Sequence, residues 1–173
     1  MRPVPSRPRS ATARRALTAA TACAALAALT ACGPAAGRAE STDALLSVTD
    51  QLDAAGSAVA TARLAVEARA DGHLPAVTAD AAISDAVETA SGAVHAIGTL
   101  VVPDSATDQV RRAALDASEI AVGPVASART WLGTSAADAA APPDLLDALD
   151  DASTAVERAH AAVQQAASER AAR

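Results

Sequence analysis

Apolar residues recur along this chain at alternating intervals of three and four. One series is Leu45, Val48, Leu52, Ala55, Val59, Ala62 and Val66; a second is Ile83, Val87, Ala90, Val94, Ile97 and Val101; the last is Leu145, Leu149, Ala152, Val156, Ala159 and Val163. That alternation keeps side chains on one face of a helix, so each stretch predicts a helix with a single apolar stripe. The stretch from Asp104 to Leu132 is less regular. Val110, Ala114, Ala117 and Ala121 fit one frame, while Leu115, Val122 and Val125 fit another. Gly123-Pro124 lies inside it, where proline removes a backbone donor and crowds the preceding turn, so a kink or break is expected.

The connectors carry matching punctuation. Asp71-Gly72 ends the first helix and Leu74-Pro75 follows; Pro103-Asp104 closes the second and starts the third. Gly133 and Pro142-Pro143 bracket a loop before the fourth, which opens on Asp144. Short connections make consecutive helices antiparallel neighbours. The expected fold is therefore all-α, an up-down-up-down four-helix bundle over residues 42–173.

The first 31 residues differ in kind. Arg2, Arg7, Arg9, Arg14 and Arg15 precede the uncharged, Ala- and Leu-rich run from Ala16 to Ala31. A basic segment followed by 16 apolar residues, short of the ~20 needed to cross a bilayer, reads as a signal peptide over 1–31. Arg14-Arg15 also admits a twin-arginine export route, although Ala16-Leu17-Thr18 lacks the residues usual after such a pair.

The run ends on Leu29-Thr30-Ala31-Cys32. This resembles the lipobox of bacterial lipoprotein precursors: an aliphatic residue, a small one, Ala or Gly, then Cys. The resemblance covers the leader only. It implies that Leu29, Thr30 and Ala31 are read by the signal peptidase and that the Cys32 sulfur receives a diacylglyceryl group. Cys32 then becomes the first mature residue and the anchor to the extracytoplasmic face of the cell membrane. Residues 32–41 would form a lipidated, flexible tether holding the domain within roughly 15–20 Å of the bilayer. The alternative is an ordinary secretory signal with Cys32 a chance thiol.

Composition sharpens this picture. Among 173 residues there are 53 Ala, 14 Arg and no Lys, a usage similar to that of actinobacterial lipoproteins. With Cys23 in the leader and Cys32 lipidated, no disulfide forms within the mature chain. From Cys32 onward nine Arg face 20 acids, a side-chain charge of −11. Such a domain is repelled by nucleic-acid phosphates, and with Trp131 as its only aromatic it cannot stack bases. Its 27 Leu, Ile and Val predict a slim core of modest stability, one that a homodimer contact or an envelope protein partner would reinforce.

Motifs for chemistry are sparse. Glu157-x-x-His160 has the spacing used in di-iron bundles, but the second such motif is missing, since Gly92 stands three before His95. His73 falls in the first interhelical loop, away from the other two histidines. Asp144, Asp147, Asp150 and Asp151 lack the alternation around a Gly that a calcium loop needs, and the first pair complements a helix N-terminus. There is no Cys-x-x-Cys-His, phosphate-cradling Gly loop, Gly-x-Ser-x-Gly or His-Glu-x-x-His. No catalytic residue, metal or cofactor is expected. Trp131 is either a plug at one end of the bundle or an exposed anchor for a partner. The expected function is a noncatalytic interaction or scaffold module; the alternative is a small-molecule or metal-binding envelope lipoprotein, its ligand held between helices three and four.

Overall fold

The computed structural model describes residues 34–135 and 139–172, with side chains from residue 40. Four helices account for nearly all of it: α1 (Pro34–Ala70), α2 (Ala76–Thr99), α3 (Ser105–Thr134) and α4 (Pro143–Ala171). There is no strand among the described residues. The chain divides into a short unit, Met1–Gly37, and a compact one, Arg38–Arg173, that holds the bundle.

All four helices contribute to one core. In α1 and α4 every position of the expected stripes is buried, from Leu45 to Val66 and from Leu145 to Val163. In α2 the buried line is Ala79, Ile83, Ala86, Ala90, Ala93 and Ile97, with Val87 and Val94 half-buried beside it. Alanines thus occupy the centre of the seam, which lets helices approach closely, and the valines fill its margins. Val101 departs from the expected stripe. The helix stops at Thr99, because Pro103 disfavours helical geometry before it, and Val101 is left exposed in the connection.

In α3 one frame prevails over the other. Thr107, Ala114, Ala117, Ser118, Ala121, Val125 and Ala128 are buried, with Val110 half-buried in the same line. Val125 joins this frame four residues after Ala121, leaving Leu115 and Val122 at the margin. The helix is unbroken through Gly123-Pro124, so the break does not occur. Pro124 supplies no N–H to the carbonyl of Ile120, but Ile120 lies on the exposed face, where water can satisfy that group.

The helix ends follow local rules. Gly72 adopts a left-handed conformation at φ 73°, and His73 and Leu74 N–H return to the Ala68 carbonyl, closing α1. Asp104 caps α3, accepting the Thr107 N–H. At the other end of the chain the outcome differs from the sequence reading: from Pro34 the stretch expected as a tether is helical, and Ser41 is buried. Pro34 suits a first helical position, and Ala35, Ala36 and Ala39 are strong helix formers.

Side-chain pairs give the helix directions. Arg63 pairs with Asp150 and Asp53 with His160, in opposite order along α1 and α4. Ser41 and Arg170 both reach Asp104, so the start of α1, the start of α3 and the end of α4 meet at one end of the bundle. Arg111 donates to the Ile97 carbonyl, bringing the end of α2 to that same end.

Candidate functional site

Trp131 sits one turn before the end of α3, half-buried against the core. Gly123, Ser127 and Trp131 follow each other at intervals of four and share a helix face. The two small residues open a groove towards the start of α4, and the indole forms a wall of it. The groove holds about 670 Å³ and is completed by Pro124, Thr130, Thr134 and, from the α4 side, Pro142, Asp144, Leu145 and Ala148. A Cβ on Gly123 would meet nothing within 4 Å, so the space above it is open. Trp131 therefore packs its body on the core while it also borders an open groove. The lining is mostly apolar, Asp144 is its one charged residue, and Trp131 Nε1 has no hydrogen-bond partner among the described residues.

A second groove, about 470 Å³, lies between α1 and α4 and brings Glu157 and His160 together with Asp53 and Gly56. Glu157 and His160 each follow a buried residue of the α4 stripe, Val156 and Ala159, and stand beside it. Asp53, absent from any motif, is the residue that sequence reasoning missed. His160 Nε2 is shut off from solvent and lies 3.2 Å from Asp53 Oδ1, near enough for an ion pair when protonated but out of line for a hydrogen bond. Ser153 Oγ donates to Glu157 Oε1 at 3.4 Å. Among the described residues no three His, Cys, Asp or Glu side chains converge as metal ligands.

The densest polar cluster is at the other end of the bundle from Trp131. Asp104 Oδ1 accepts the Thr107 backbone N–H at 2.8 Å, and Oδ2 accepts the Thr107 and Ser41 hydroxyls at 2.7 and 2.8 Å. Arg170 Nη2 donates to Asp104 Oδ1 at 3.2 Å and to Thr107 Oγ1 at 2.8 Å. The hydrogen bonds from Thr107, then those from Ser41 and the Arg170 charge, outweigh partial burial and hold the Asp104 carboxyl well below the usual carboxylate range. Beside it, Arg111 lowers the Asp108 carboxyl, mainly by hydrogen bonding, with Arg112 adding its charge. These groups are fully engaged with each other, which marks a clamp rather than a reactive centre. The Pro103-Asp104-x-x-Thr107 pattern signals the cap; its links to Ser41 and Arg170 are tertiary and carry no sequence signal.

Leu29, Thr30, Ala31 and Cys32 lie outside the described residues. No helix among the described residues is long and apolar enough to cross a membrane. Compared with protein families, curated proteins and solved structures, the chain matches none.

Proposed function

We propose that this chain is a lipoprotein precursor whose mature part is an up-down-up-down helical bundle held at the extracytoplasmic face of the cell membrane. In this reading residues 1–31 are removed and Cys32 carries the lipid. The observation that carries it is the order of basic segment, uncharged run and Leu29-Thr30-Ala31-Cys32, followed by an acidic helical domain. The bundle acts as a noncatalytic interaction module, with Trp131 and its groove as the contact for an envelope protein. A large, partly desolvated aromatic beside an open apolar groove has the character of an interface anchor.

Native mass spectrometry of the full-length product from its host's membranes, in mild detergent, tests both parts. A diacylated species beginning at Cys32 is expected, with a polypeptide partner that is lost on Trp131→Ala. Cleavage elsewhere without lipid overturns the anchor.

The groove's volume and apolar lining favour a second reading, in which it holds a small apolar molecule. That reading requires an added small mass on the same species and a ligand-dependent rise in melting temperature.

A further inference from the structure

The connection between α2 and α3 is unlike the other turns. Leu100, Val101, Val102 and Pro103 follow one another with no polar side chain between Thr99 and Asp104. The α1–α2 connection, by contrast, contains Asp71, Gly72 and His73. Turns at a bundle end ordinarily carry polar or flexible residues, and consecutive apolar ones there run against that rule. Leu100 packs back on the core, but Val101 is 90% exposed, the most exposed of the large apolar side chains among the described residues, and Pro103 is exposed beside it. The loop is held at both sides. Arg111 Nη1 donates to the Ile97 carbonyl at 3.2 Å, and Asp104 is fixed by Thr107, Ser41 and Arg170.

The loop's place in the molecule gives this exposure a meaning. Ser41 Oγ lies 2.8 Å from Asp104, so the bundle enters α1 at the end that carries the loop. Cys32 precedes Ser41 by nine residues, a chain length of at most ~30 Å extended and about half that as a helix. Charge is distributed in the same sense. Among the described side chains of 40–45, 92–112 and 165–172, which meet at this end, three arginines face five acids. In 63–83 and 127–151, at the opposite end, three arginines face seven acids. Asp104 and Asp108 are moreover paired with Arg170, Arg111 and Arg112. A bilayer surface carrying anionic lipids repels the far end more strongly than this one.

We infer that the α2–α3 loop is a membrane-contacting tip, with Val101 and Pro103 seated in the lipid interface next to the anchor. The inference rests on the lipid-anchor reading above. A lipid-held domain would then stand in a fixed orientation, with the Trp131 groove turned away from the bilayer.

Cysteine labelling tests this directly, because a lipidated Cys32 leaves the mature chain without a free thiol. Val101→Cys and Val77→Cys are each made in the full-length protein, purified from host membranes and labelled with an environment-sensitive fluorophore. Val77 is 83% exposed at the start of α2, at the opposite end of the bundle. Both proteins are placed in phosphatidylcholine–phosphatidylglycerol vesicles, and intact mass is recorded on the same samples. The expected result is a blue-shifted emission at position 101, quenched by nitroxide-labelled lipid, and neither effect at position 77. Equal emission and quenching at the two positions, in protein shown to be diacylated at Cys32, overturns the inference while leaving the anchor intact. A mass without lipid removes the anchor and the inference with it.

Discussion

The Ser41 hydroxyl donates a 2.8 Å hydrogen bond to Asp104 across 63 residues of chain, joining the start of α1 to the cap of α3. Thr107 and Arg170 complete the cluster, so one carboxylate binds three helices. Asp104→Ala removes the cap and leaves the buried Thr107 hydroxyl short of its acceptor. Loss of an N-cap of this kind costs about 1 kcal/mol. The ion pair with Arg170 adds little, since Asp104 remains 41% exposed. Melting temperature should fall by roughly 3–6 °C for a domain of this size, followed by circular dichroism. No change would show that the cluster contributes nothing.

The same carboxylate sets an acid sensitivity. Its folded-state pKa lies below its unfolded value, so it contributes stability that is present above the unfolded pKa of about 3.9. That contribution is lost as pH falls from there towards the folded value. Thermal unfolding at pH 7, 5 and 3 should show wild type and Asp104→Asn far apart at neutral pH and converging at the acid end. Parallel curves at all three values would exclude Asp104 as the source.

Much of this architecture is legible in the residue pattern, and the exceptions have causes. The stripes of α1 and α4 could be read because no proline interrupts them and large residues mark the register. In α2 the same reading ran one step too far, to Val101, because an apolar residue in register looks the same inside a helix and beyond its end. In α3 the alanine frame lies in the core where a Leu and a Val offered a rival, and α3 passes through Pro124 because Ile120 faces water. The Trp131 groove, by contrast, depends on how α4 enters the bundle beside α3. The meeting of Asp53 with His160 depends on helix pairing. Neither relation is written locally.

Small side chains in the seam make one substitution behave oppositely to simple hydrophobicity. Ala90 is fully buried in α2, where neighbouring helices pack close. Ala90→Leu adds apolar volume but has no space for it, and overpacking costs about 1–3 kcal/mol. Leu149→Ala, at one of the few large core positions, leaves a void and costs about 2–5 kcal/mol. Both proteins should unfold at lower denaturant than wild type, whereas Leu64→Ala, on the exposed face, should not. If Ala90→Leu proved stabilising, the close packing of α2 would be wrong.

A glycine inside a helix offers the reverse effect. Gly92 and Gly123 lie inside helices, and an added Cβ meets nothing within 4 Å at either. Neither has a positive φ. Replacing Gly92 by Ala should stabilise by roughly 0.5–1 kcal/mol through the lower conformational entropy of the unfolded chain. Gly123 stands before Pro124, whose ring disfavours helical geometry for a residue with a Cβ, so Gly123→Ala should not share that gain. Gly123→Ala narrows the groove beside Trp131 without touching the indole, and Gly92→Ala, at a site away from the groove, separates stability from recognition.

Trp131 makes that separation measurable. As the sole aromatic residue it is the only strong intrinsic fluorophore, and its half-buried position makes its emission sensitive to whatever enters the groove. Trp131→Ala removes a side chain that is only partly enclosed, so the cost should stay below the ~3–5 kcal/mol typical of a fully buried aromatic, and the bundle should remain folded. A protein partner at the groove would shift Trp131 emission, and its capture would fail with Trp131→Ala although helical circular dichroism is retained. A small apolar ligand would shift emission and raise the melting temperature of wild type, while Gly123→Ala would weaken both effects as its new methyl takes up groove space. A partner that bound Trp131→Ala as tightly as wild type, with emission of the native indole unmoved, would place the recognition surface elsewhere on the bundle.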